Sequence, residues 1–167
     1  MKTLRRRLKP VSENKFVITR KNAVNQYKGV INMIKLIIGK KGSGKTKKLV
    51  ELVNNAAETS LGNVVCIEKG DVLTFSVTHK ARLVDSCDFN ISGYGEYFGF
   101  LAGIKAGNND ITHIFGDATL RIGSRDYDEL AAFLERVSKI DDVDFIFTVS
   151  CDENELPAKI FEIAEKI

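Results

Sequence analysis

Three absences narrow what this sequence can be. Its cysteines, Cys66, Cys87 and Cys151, are few, odd in number and widely spaced, with no C-x-x-C pair and no Cys/His cluster. That excludes a disulfide scaffold and a thiolate zinc site, and it suits three small core hydrophobes in a reduced, cytoplasmic chain. No apolar run approaches the ~18 to 20 residues needed to cross a bilayer, and residues 1–32 lack the continuous apolar stretch of a secretory signal. Internal repeats and low-complexity tracts are also missing. What is present is ordinary for a globular protein, with 44 % hydrophobic and 28 % charged residues. A chain of 167 residues suits one domain that buries roughly two thirds of its unfolded surface.

The net charge of +3 hides two segments of opposite character. Residues 1–32 carry nine basic residues against Glu13 alone, for a net +8, so the remainder carries −5. The boundary falls at Asn32/Met33. Like charge and little apolar periodicity beyond Leu4, Leu8 and Val11 predict a disordered N-terminal extension. Three readings of this leader stay open. It is a basic arm for nucleic acid or an anionic membrane surface, an Arg-rich organellar targeting segment, or an untranslated stretch upstream of a start at Met33. The last rests on Lys28-Gly29-Val30, whose codons can spell a bacterial ribosome-binding site at a suitable distance before Met33.

From Met33 onward the pattern is strand then helix, repeated. MIKLII (residues 33–38), NVVCIE (63–68), ITHIF (111–115) and VDFIFTV (143–149) are short apolar or β-branched runs. Residues 71–77 and 81–84 predict one or two shorter edge strands. Between them, Leu49, Val53, Ala56 and Ala57 share a helical face. So do Tyr94, Tyr97, Phe98, Leu101 and Ile104, and also Tyr127, Leu130, Leu134 and Val137. Asp126 with Glu129 predicts a capping box. Pro157 opens a final helix with Leu156, Ile160, Phe161 and Ile163/Ala164 facing inward. Gly95, Gly99, Gly103 and Gly107 recur every four residues, a stripe that reads either as tight packing onto the sheet or as close backbone approach to a partner helix or ligand. Such alternation demands a mainly parallel sheet with helices on both faces, a three-layer α/β sandwich over residues 33–167.

Residues 39–46 read GKKGSGKT and match G-x-x-x-x-G-K-[ST] without a gap. A strand precedes the motif and a helix follows, the context this pattern requires. Gly39, Gly42 and Gly44 let the backbone turn with its N–H groups inward, where a Cβ would block close approach or the needed positive φ. The helix N-terminus then offers unpaired donors and about half a positive charge to an anion. Lys45 is predicted to reach the β- and γ-phosphates of a nucleotide, and the Thr46 hydroxyl to ligate Mg²⁺. Lys40, Lys41 and Ser43 add donors and field. Asp117, after ITHIFG, is the predicted second Mg²⁺ group. Two readings stand for Glu68 at the end of the second strand: a catalytic acid pointing into the crevice, or a surface residue beside Lys69. Thr148 and Ser150 end the last strand and could sense the γ-phosphate, and Arg121 and Arg125 are candidate arginine fingers. His79 and His113 stand alone, and His113 reads as a core residue.

Over Met33 to Ile167 the chain resembles the P-loop NTPase superfamily, with GKKGSGKT as Walker A and ITHIFGD as Walker B. More narrowly it resembles small stand-alone bacterial ATP-binding proteins labelled as twitching-motility ATPases. The resemblance implies ATP at Gly39 to Thr46 and Mg²⁺ near Thr46 and Asp117. Ala118 stands where many ATPases of this class carry a water-orienting Glu. An N-K-x-D motif is missing, which favours ATP over GTP, and the four-cysteine zinc lasso of thymidine kinases is absent. The expected function is a weak Mg-dependent ATPase or an ATP-dependent switch acting on an unidentified protein partner. The alternatives are a small-molecule kinase and a nucleotide-binding module without catalysis.

Overall fold

In the computed structural model of the protein, residues 33–167 are described; the expectations about residues 1–32 lie outside the described residues. Six strands form one sheet, β1 (Ile34–Ile38), β2 (Asn63–Glu68), β3 (Arg82–Asp85), β4 (Ile111–Gly116), β5 (Asp144–Val149) and β6 (Ala164–Lys166), in the order β3-β2-β4-β5-β1-β6. Every pairing is parallel. The helices are α1 (Lys45–Thr59), α2 (Tyr94–Gly107), a single turn α3 (Thr119–Ile122), α4 (Tyr127–Val137) and α5 (Ala158–Ile163).

The period of two in the strands assigns each side chain to a layer. Leu36, Val65, Ile67, Ile114, Phe145 and Phe147 pack with α2 and α4 through Tyr97, Leu101, Phe133 and Leu134. The alternate residues Ile37, Val64, Cys66, Phe115 and Ile146 pack with Leu49 and Val53 of α1 on the opposite face. Both faces are thus dry, which explains why the strands read as continuous apolar runs. The three-layer α/β sandwich is the fold expected from the sequence.

Several local expectations need correction. Residues 71–77 are not a strand. Gly70 and Asp71 have positive φ, and Ser76 and Val77 both donate their N–H to the Leu73 carbonyl, at 2.8 and 3.0 Å. Backbone groups spent on local turns cannot serve a ladder, so the edge strand is Arg82–Asp85 alone. The final helix stops at Ile163, and Ala164 enters the sheet beside Ile34. Phe161 faces outward at 38 % exposure. Asp126 caps α4 by accepting from Asp128 and Glu129 N–H, but the Glu129 carboxylate takes the Ser124 hydroxyl at 2.6 Å and the reciprocal half of the box is not made. Cys87 is exposed, while Cys66 and Cys151 are buried as expected. His113 is half-buried, with Nδ1 2.9 Å from the Thr112 hydroxyl, and burial draws its pKa below the usual histidine value.

Asp85 anchors the turn after β2. Its carboxylate accepts from the N–H groups of Gly70, Asp71 and Cys87, at 2.9, 3.1 and 2.9 Å. Led by the Gly70 bond, these donors hold its pKa down at about 2, against an ordinary 3.8. A depressed carboxylate pKa stabilises the fold above the unfolded value, and that contribution disappears as pH falls through the folded one. Protection of the Gly70, Asp71 and Cys87 amides against exchange, relative to their intrinsic rates at each pH and followed by NMR, is therefore expected to fall between pH about 4 and about 2. Unchanged protection across that window would show that these bonds do not hold the turn.

Candidate functional site

In open α/β sheets the ligand crevice lies beyond the carboxyl ends of the strands. Here β1, β4 and β5 deliver to that end the glycine-rich loop, Asp117 and Ser150. The cavity between them has a volume of about 780 Å³ and is lined by Lys41, Lys45, Thr46, Asp117, Arg121 and Thr148 among others.

The loop itself is shaped as its sequence requires. Gly42 and Gly44 take φ of 86° and 84°, in the left-handed region that side chains avoid. A Cβ on Gly39 would come within 2.5 Å of the Ser43 hydroxyl. Gly39 N–H donates to the Val149 carbonyl at 3.2 Å, pinning the loop to the last strand before the crevice, and Lys48 N–H begins the α1 ladder on the Gly44 carbonyl. Lys45 is buried at the start of α1, and its ammonium donates to the Lys40 carbonyl at 2.8 Å and to Ser43 Oγ at 3.4 Å. Burial pulls its pKa below the ordinary lysine value, while the charge of Asp117 and the Cys151 thiol act the other way. The Lys40 side chain pairs with Asp152 at 3.1 Å, outside the crevice lining, whereas Lys41 faces the cavity.

Across from the loop, Asp117 sits where β4 ends. Its N–H donates to the Ile67 carbonyl at 2.8 Å, and its carboxylate receives the Thr46 hydroxyl at 3.2 and 3.3 Å and the Thr148 hydroxyl at 2.8 Å. Thr148 in turn accepts the Ala118 N–H at 2.9 Å. The start of α1 and the end of β5 therefore converge on the carboxylate that ends β4, while β2 holds its backbone. Thr46 and Asp117 are hard oxygen donors of the kind that suit Mg²⁺, which takes few protein ligands and keeps several waters. The residues present fit that ion.

Glu68 goes elsewhere. It is buried at 2 % exposure, and its Oε2 accepts from Val72 and Leu73 N–H at 2.7 and 2.8 Å. Among the described residues it does not line the crevice, so the structure gives it the task of holding the loop after β2, neither a surface Glu nor a group pointing at the phosphates. Arg121, Arg125, Thr148 and Ser150, weighed from the sequence, all reach the lining. Sequence reasoning missed the conformation of Ala118, which takes φ 54° and ψ 37°. A non-glycine residue there costs of order 1 kcal/mol, and no residue pattern signals it. The left-handed step turns the chain directly after Asp117 and starts α3, which brings Arg121 toward the cavity.

Gly116 interrupts the apolar run before Asp117 for a steric reason. A Cβ there would strike the Tyr97 hydroxyl and lie 2.6 Å from the Phe147 ring. Tyr97 is fully buried, its ring packed against Phe133 and Phe147, so it can yield only by disturbing those rings. Gly116→Ala is expected to destabilise the protein by about 1 to 3 kcal/mol. Chemical denaturation measures this, and an unchanged midpoint would show that the core around Tyr97 is loose.

No family model matches the chain, and no curated protein matches it. Among solved structures, the flagellar accessory protein FlaH from Methanocaldococcus jannaschii is similar over 87 % of this chain and 73 % of its own, with a TM-score of 0.52 and 14 % identity. PCH-2 from C. elegans is similar over 81 % of this chain and 34 % of its own, with a TM-score of 0.49 and 17 % identity. The likeness to FlaH shows a shared fold. With GKKGSGKT seated between β1 and α1 of a parallel sheet and an acid at the end of β4, that fold is of the P-loop NTPase type. Among the described residues no helix is long and apolar enough to cross a membrane.

Proposed function

We propose that this chain binds Mg·ATP in the crevice at Gly39 to Thr46 and acts as a slow ATPase or ATP-dependent switch. The observation that carries the reading is the glycine loop with Lys45 buried at its end and Thr46 turned onto Asp117. The N–H groups at the start of α1 receive the phosphates. Lys45 exchanges its bond to the Lys40 carbonyl for the β- and γ-phosphate oxygens, a charge-assisted contact of greater strength. Arg121 and Arg125 add positive charge on the far wall. Mg²⁺, held by Thr46 and, through water, by Asp117, would neutralise charge on the phosphate oxygens.

Among the described residues lining the cavity, Asp117 is the only carboxylate. Three hydroxyl or metal roles already converge on it, which leaves no acid to position an attacking water. Positioning supplies much of the rate in phosphoryl transfer, so turnover by the chain alone is expected to be slow. The Asp117-Ala118-Thr148 connection supports the switch reading, because a γ-phosphate that draws Thr148 or Asp117 shifts the strained Ala118 turn and α3 with it. The test is steady-state release of inorganic phosphate from Mg·ATP by the full chain, beside adenosine diphosphate formation. Slow release in step with the diphosphate supports the reading. Diphosphate appearing without free phosphate, and only when an acceptor is added, would replace it with the kinase alternative.

A further inference from the structure

Lys69 reaches from the loop after β2 to the single turn α3. Its ammonium donates to the Arg121 carbonyl at 2.5 Å, and it makes no ion pair among the described residues. The Arg121 carbonyl lies in the last turn of its helix, where intrahelical donors run out and a cation is favoured. Arg121 also lines the crevice. One residue of α3 therefore stands between the phosphate site and a loop that lies outside the crevice lining.

The two ends of α3 are held differently. At its start Ala118 sits in the left-handed region at φ 54° and ψ 37°, a conformation less favourable for alanine than the right-handed one. Its N–H donates to the Thr148 hydroxyl at 2.9 Å, and that hydroxyl donates to Asp117 at 2.8 Å. At the far end Ile122 is fully buried, and its carbonyl receives the Gly93 N–H at 2.9 Å. A strained start, a pinned end and a carbonyl gripped by an exposed lysine describe an element that can turn in place.

Resting on the reading of the crevice as a Mg·ATP site, we propose that α3 has two positions selected by the γ-phosphate, and that Lys69 is a positioning residue holding the nucleotide-free one. With ATP bound, the Thr148 hydroxyl and the Arg121 guanidinium turn to the γ-phosphate, and Ala118 leaves the left-handed region. The helix turns about Ile122, and the Arg121 carbonyl moves off the Lys69 ammonium. With ADP bound there is no γ-phosphate, and the tie stays. Lys69 directly precedes Gly70 and Asp71, whose N–H groups are held by Asp85, so the turn after β2 is linked to the crevice in one nucleotide state and released in the other. Such coupling is reciprocal: a contact made only in the nucleotide-free position opposes ATP, and its removal favours ATP.

Titration calorimetry of the full chain in Mg²⁺, with ADP and with the β,γ-imido analogue of ATP, tests this through two substitutions that act in opposite directions. Lys69→Met removes the tie, and the preference for the ATP analogue over ADP is expected to rise about two- to fivefold. Losing a positive charge would by itself disfavour the more negative nucleotide, so a rise cannot be a charge effect. Ala118→Gly removes the penalty on the left-handed turn and stabilises the nucleotide-free position, so the preference is expected to fall by about fivefold. Thermal unfolding without ligand checks that both variants fold. A tie of structural value alone would change the melting temperature and leave both ratios at the wild-type value. A ratio that either variant leaves unchanged, or moves in the other direction, overturns the proposal and leaves the ATP site standing. A wild type that binds neither nucleotide overturns the reading of the crevice and the proposal together.

Discussion

Lys45→Ala is expected to weaken Mg·ATP binding by roughly 100-fold or more while leaving the fold intact. The two halves of that expectation have different origins. In the free protein the ammonium makes one good hydrogen bond, to the Lys40 carbonyl, and a longer one to Ser43. Losing them costs about 1 kcal/mol of stability, a small part of the whole. With nucleotide bound, the same ammonium meets phosphate oxygens in a partly buried site, where charge-assisted bonds are roughly twice as strong as neutral ones and each 1.4 kcal/mol is about tenfold in affinity. Its lowered pKa is a cost of burial that an anionic ligand relieves. Titration calorimetry measures the affinity, and thermal unfolding without ligand checks the fold. Equal affinities for wild type and variant would remove Lys45 from the site.

Asp117→Asn is expected to act differently, on the metal dependence. The carboxylate gathers the hydroxyls of Thr46 and Thr148; an amide of the same shape accepts at one oxygen only and carries no charge for a cation. ATP alone should bind Asp117→Asn about as well as wild type, since the P-loop donors are untouched. The gain in affinity on adding Mg²⁺ should shrink by about tenfold or more, and turnover should fall by roughly 100-fold. Affinity measured with and without Mg²⁺ separates this from the Lys45 effect. A variant with an undiminished Mg²⁺ gain would show that another group holds the ion.

Much of the crevice was legible in the sequence because its chemistry leaves a dense local signature. A phosphate cradle needs glycines at fixed offsets, and Gly42 and Gly44 adopt the positive φ that only their spacing in GKKGSGKT foretells. The sheet was legible because a parallel strand buried on both faces leaves a continuous apolar run, as in Asp144–Val149. What stayed hidden depends on competition between distant partners. Residues 71–77 have the composition of a strand, but the buried Glu68 carboxylate takes the Val72 and Leu73 N–H groups that a ladder would need. Ala164–Lys166 continues a helical pattern, yet pairing with β1 wins in the last turn. The glycines of α2 read as close packing or close approach, whereas only the fold shows that nothing lies opposite them. The left-handed Ala118 donates its N–H to Thr148, 30 residues away, a partner that no window around Ala118 contains.

The most direct measurement is titration calorimetry of the full chain with ATP in the presence of Mg²⁺, with thermal unfolding under the same conditions. Saturable binding at one site per chain is expected, with a melting temperature that climbs as ligand rises above the dissociation constant. Absence of heat and of any thermal shift at ligand concentrations far above the usual range for nucleotide sites would contradict the assignment of this crevice to ATP.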